Sequence, residues 1–165
     1  MKVYQLRKEQ FVGRPLTEVF SFFESPGNLA VITPPSMRFR ILTHPPIVMR
    51  QGAVFEYRVR VMGVRMRWKS LISEYTPPFR FVDEQVKGPY TFWHHTHTFT
   101  EVPGGTMIGD EVRYAMPFGI VGSMAHCLAV RRQLEHIFSH RSQVMCTMFG
   151  ADRGSIRTTD TRGGQ

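Results

Sequence analysis

Hydrophobic and polar positions follow three successive rhythms along this chain. A first strand-like stretch, residues 3–12 (VYQLRKEQFV), is followed by helical spacing. Leu16, Val19, Phe20 and Phe23 recur at intervals of three and four, which predicts an amphipathic helix with one core face. Pro15 suits the first turn of that helix, Glu18 suits its positive end, and Pro26-Gly27 stops it. Asn28 is placed to cap a short helical turn running to Ile32 and closed by Pro34-Pro35.

From Met37 the period becomes two. Met37 to Leu42 reads as a short strand, and residues 53–61 with 64–75 read as a hairpin turning at Met62-Gly63. Phe55, Tyr57, Val59 and Val61 fall on one face of it, with Val64, Met66, Trp68, Ser70 and Ile72 on the matching face. The other face carries Arg58, Arg60, Arg65, Arg67 and Lys69, a solvated basic surface or a dock for an acidic partner. Phe79 to Val86 forms the next strand. Gly88 to Met116 (GPYTFWHHTHTF, a Pro-Gly-Gly turn, then TMIGDEVRYAM) forms a second hairpin. Alternation puts Trp93, His95, His97 and Phe99 on one face of its first arm, and Asp110, Val112 and Tyr114 on one face of its second.

The third rhythm is helical again. Residues 120 to 149 carry Met124, Leu128, Leu134, Ile137, Phe138, Val144, Met145 and Met148, and neither proline nor glycine after Gly122. A helix of that length spans about 40 Å and can cover a whole sheet. The order implies an α+β fold. A curved antiparallel sheet of about seven strands surrounds a long C-terminal helix, with one or two short helices between strands 1 and 2. Residues 1–149 make one domain, and residues 150–165, without periodicity or apolar content, are expected to be a disordered tail.

Composition narrows the function. The 165 residues are 42% apolar, enough for one sizeable core. A net charge of +8 raises nucleic acid or an anionic ligand as partners, but the basic residues are spread singly and no nucleic-acid motif occurs, so nucleic acid is not favoured. No run of 18 apolar residues exists, so no membrane span is expected, and without a secretory pattern the expected compartment is cytoplasmic. Cys127 and Cys146 lie on one expected helix, too far apart for a disulfide.

The candidate chemistry lies in the second hairpin. His95, His97 and Asp110 fit an acid–base pair, polar contacts to a ligand, or a satisfied structural network. Two histidines at this spacing can ligate zinc with Asp110 as third ligand, but no metalloenzyme motif supports it, so neither metal nor cofactor is expected. The residues expected at a ligand are Tyr57, Trp68, Phe81, Trp93, His95, His97, Tyr114, Met124, Leu128 and Arg131. Arg131 or Arg132 would lean to a cavity mouth and receive a carboxylate. His126, His136 and His140, beside Cys127, Arg132 and Arg141, read as exposed decoration of the helix, although His136 and His140 at a spacing of four could meet a metal.

Several segments resemble a known superfamily. They are the P-x-x-x-V-F-x-F-F-x-x-P-x-N-L run from Pro15 to Leu29, Thr33-Pro34-Pro35, GPYTFWHHTHTF, and Gly104-Gly105-Thr106 with Asp110, Val112 and Tyr114. Together, over roughly residues 3–149, they resemble START-like (helix-grip) proteins, closest to bacterial polyketide cyclase/dehydrase-like ligand-binding proteins. The resemblance implies a helix-grip fold with a cavity between sheet and helix for a hydrophobic or aromatic small molecule, an anionic one included. It implies a monomer or homodimer and no particular reaction. A cyclase or dehydratase using His95 or His97 with Asp110 is the alternative to simple binding.

Overall fold

A computed structural model describes residues 2–117, 129–150 and 157–162. Strand β1 (Val3–Val12) leads into helix α1 (Leu16–Glu24), whose buried face is Leu16, Val19, Phe20 and Phe23, as the spacing predicts. The next stretch forms two 3-10 turns, Pro26–Ala30 and Pro35–Met37. Asn28 does not cap with its side chain. Its amide instead donates to the Phe22 carbonyl at 2.8 Å and ties the turn to the end of α1. Of the expected strand at 37–42 only β2 (Arg40–Ile41) forms, because Met37 belongs to a 3-10 turn and Arg38 has left-handed φ.

The remaining strands are β3 (Val54–Val61), β4 (Val64–Thr76), β5 (Arg80–Lys87), β6 (Phe92–Val102) and β7 (Gly105–Ala115), followed by helix α2 (Arg131–Phe149). The β3–β4 turn has positive φ at both Met62 and Gly63, the geometry that matches strand twist in a two-residue hairpin. Register shifts between β4 and β5 bend the sheet. An eighth strand, β8 (Arg157–Arg162), pairs with β1 inside the span expected to be disordered. Polar content conceals it: an edge strand needs no apolar face, and three of its six residues are β-branched threonines.

All eight strands form one antiparallel sheet in the order β2-β3-β4-β5-β6-β7-β1-β8. Its inner face and the helices form the core. One cluster joins α1 and the end of α2 to Phe81, Phe99 and Ile108, and another joins Leu134 and Phe138 of α2 to Tyr4, Leu6, Val112 and Tyr114. The outer face of β3–β4 is basic as expected, with Arg58 opposite Arg67 and Arg60 opposite Arg65. Glu56 offsets part of it through Arg67 at 3.4 Å.

Candidate functional site

Between the inner face of the sheet and α2 lies a cavity of about 190 Å³, with the segment from Ser25 to Met49 closing one side. A dry apolar cavity of about 150 Å³ accepts benzene, so this volume suffices for a small aromatic molecule. Aromatic rings cluster in its wall. Tyr57 stacks on Trp68 at 5.9 Å, Trp68 meets Trp93 edge-on at 5.1 Å, and Trp93 lies 4.8 Å from Tyr90. Ser70 gives the wall one polar point, receiving the Trp68 indole N–H at 3.1 Å and lying 3.2 Å from the Tyr57 hydroxyl.

A charged cluster adjoins this wall. β6 presents His95 and His97 inward, and their rings lie 3.8 Å apart. Register sets His97 opposite Asp110 on β7 and His95 opposite Asp83 on β5. Each imidazole therefore meets both carboxylates. His95 Nε2 is 3.0 Å from Asp110 Oδ1, and its Nδ1 is 3.4 Å from Asp83 Oδ1. His97 Nδ1 is 3.1 Å from Asp110 Oδ1, and its Nε2 is 3.0 Å from Asp83 Oδ1. Arg141 of α2 donates to Asp110 at 2.9 Å, with its guanidinium 4.8 Å from the centre of the Phe23 ring. Phe81 stacks on His97 at 4.2 Å.

Burial opposes the charged form of both carboxyls and both imidazoles, and the neighbours decide how far each yields. Burial opposes ionisation of Asp110, yet Arg141 and the two histidines outweigh it and hold the carboxyl well below its usual range. Asp83 is also pushed up by burial but ends lowered, through His95, His97 and Trp93. The two rings diverge. Burial, then the charge on His97, lowers His95, whereas in His97 the bonds to Asp110 and Asp83 overcome burial and raise it. The cluster thus favours ionised carboxyls beside the Arg141 guanidinium, and a proton on His97 ahead of one on His95.

Of the residues expected at a ligand, Tyr57, Trp68, Phe81, Trp93, His95 and His97 line the cavity. Tyr114 does not; it is buried behind the wall, stacked on Tyr4 at 5.6 Å. Arg131 is exposed and bonds Glu135 at 3.1 Å, one turn along the helix. Arg132 is exposed too, so the inward arginine is Arg141. Met124 and Leu128 lie outside the described residues. Asp83 and Arg141 escape the sequence reading, although a signal exists for each. Asp83 is two residues from Phe81 on a strand and so shares its face. Arg141 falls on the stripe Leu134, Phe138, Arg141, Met145, the buried face of α2. Asp83, His95 and His97 also form a set able to hold a metal ion, their ligand atoms all within 4.8 Å of one another.

A curved antiparallel sheet around a long C-terminal helix, with short helices between β1 and β2, defines the helix-grip fold. Solved structures share it. A START superfamily protein from Mycobacterium smegmatis is 10% identical with a TM-score of 0.67, over 89% of this chain and 97% of that one. TTHA0849 from Thermus thermophilus is 14% identical at 0.66, over 87% and 97%. The di-domain ARO/CYC StfQ, from the steffimycin biosynthetic pathway, is 13% identical at 0.67, and 90% of this chain covers 52% of it. No family model matches the chain. No curated protein matches it either. Among the described residues no helix is long and apolar enough to cross a membrane.

Proposed function

We propose that the protein binds a hydrophobic or aromatic small molecule in this cavity and transfers protons on it, in the manner of a polyketide cyclase or dehydratase. One observation carries this reading: two adjacent histidines on the cavity wall have their proton affinities pushed in opposite directions, His97 up and His95 down. Titratable pairs separated in this way supply a base and an acid together. In this reading His95, neutral, takes a proton from carbon next to a carbonyl, and His97, protonated, gives one to the carbonyl oxygen. Asp83 touches both rings and returns the proton between them. The nitrogens facing Asp83 are those on the cavity side, since Asp83 lines the cavity and Asp110 does not. A ligand reaches them by sharing the Asp83 contacts, of which the one to His95 is the looser. The fold shared with StfQ, an ARO/CYC protein by name, agrees with this reading.

Binding without reaction is the second reading, favoured by the mutual pairing of the cluster's groups. Native mass spectrometry of untagged protein from its own cell extract separates the two. An aromatic molecule should be retained, and fresh protein should convert it while His97→Ala does not. Retention without conversion leaves binding alone. Trp68 and Trp93, the only tryptophans in the chain, both line the cavity, so intrinsic fluorescence reports its occupancy. No retained molecule and no fluorescence response to naphthyl ketones would overturn both readings.

A further inference from the structure

We propose that Asp83, His95 and His97 form a binding site for one first-row divalent cation, with the remaining coordination position open to the cavity. The cation takes the place of the proton between Asp83 and His97 and engages the free cavity-side nitrogen of His95. This rests on the same cavity-facing placement as the proposed function, but not on any turnover.

The distances suit such an ion. Zinc sits about 2.0–2.2 Å from imidazole nitrogen and carboxylate oxygen, so in a tetrahedral site neighbouring ligand atoms lie about 3.3 Å apart. His97 Nε2 and His95 Nδ1 lie 3.0 and 3.4 Å from Asp83 Oδ1. A hydrogen-bonded trio has similar spacing, so distance alone does not decide.

The surroundings of the rings point the same way. A metal-bound histidine characteristically donates its other ring N–H to a carboxylate, which fixes the ring and raises its basicity. Here both outward nitrogens, His95 Nε2 and His97 Nδ1, converge on Asp110 Oδ1 at 3.0 and 3.1 Å. Arg141 holds that carboxylate from α2 at 2.9 Å. Asp110 is thus a supporting group rather than the third ligand, and its charge offsets Arg141 so that the guanidinium does not repel an ion. The site is also reachable, since all three ligand residues line the cavity. Two imidazoles, one carboxylate and an open position suit zinc or ferrous iron, and the absence of thiolate disfavours softer ions. Such an ion would polarise the carbonyl of a ligand held in the cavity.

The test uses untagged full-length protein stripped with a chelator and then exposed to Zn²⁺ or Co²⁺. The expected result is one Zn²⁺ retained per chain after desalting, and a tetrahedral Co²⁺ absorption that Zn²⁺ abolishes. His136 and His140, one helical turn apart on the surface of α2, are an alternative chelating pair. A variant with His136→Ala and His140→Ala should therefore keep the ion, whereas Asp83→Asn or His97→Gln should lose it. Asp110→Asn should retain the stoichiometry and weaken affinity by roughly 10–100-fold. Should the cluster variants fail to fold, ring nitrogen shifts of the wild type decide: Zn²⁺ should move His95 Nδ1 and His97 Nε2 by direct ligation. No ion retained, or an ion lost with His136 and His140, overturns the proposal. Proton transfer by metal-free protein is read separately and is unaffected by either result.

Discussion

His95 and His97 are chemically identical and two residues apart, and their environments send them in opposite directions. The consequence for stability has a definite sign. His97, raised above 6.5, stabilises the fold fully below that pH and loses the contribution as pH rises through its folded value. His95 is lowered, so the unfolded chain binds its proton first, and stability falls as pH drops from 6.5 through the folded value. Asp110 adds stability above its ordinary range that is lost only in strong acid. Stability measured by urea unfolding should therefore be greatest near pH 6.5. In ring nitrogen NMR the His97 midpoint should lie above that of His95, and the reverse order would contradict the assignment of base and acid. The histidines and Asp110 were legible because strand alternation fixes a face. Asp83 was hidden in an Asp-Glu pair that reads as surface charge, and Arg141 by the habit of assigning helical arginine to solvent.

At the level of elements, the period of the pattern carried most of the fold. α1 and both hairpins follow from alternation and turn chemistry, whereas the register that sets Trp93 opposite Tyr114 and His97 opposite Asp110 is seen only in the fold. What alternation cannot convey is contact between strands remote in sequence. The pairing of β1 with β7 places Gly105 against the end of β1, where an added Cβ would lie 2.1 Å from the Val12 carbonyl oxygen. That oxygen belongs to backbone and cannot swing away. Gly105→Ala should cost roughly 1–3 kcal/mol in denaturant unfolding, as overpacked sites do. An unchanged midpoint would mean that β1 and β7 meet differently. The edge strand β8 escaped for the opposite reason, since its sequence, RTTDTR, is polar at every position and shows no alternation.

At the scale of the whole molecule, the sheet and α2 border a cavity with an aromatic wall and a charged cluster, and α2 supplies both apolar cover and Arg141. Composition pointed to a ligand cavity only through the resemblance to helix-grip proteins; the hollow itself depends on sheet curvature, which no local pattern records. The basic outer face of β3–β4 lies on the far side of the sheet and has no part in the site. The central claim is that the cluster moves protons on a molecule held in the cavity. Its most direct test is mass spectrometry of an acetylnaphthalene incubated with metal-free protein in deuterated buffer. Deuterium should enter the methyl group faster than in buffer alone, with His95→Gln and His97→Gln slowing the protein-dependent rate by about 10²–10⁴-fold. A ketone that binds yet exchanges no faster than in buffer, or exchanges as fast with both variants, would contradict it.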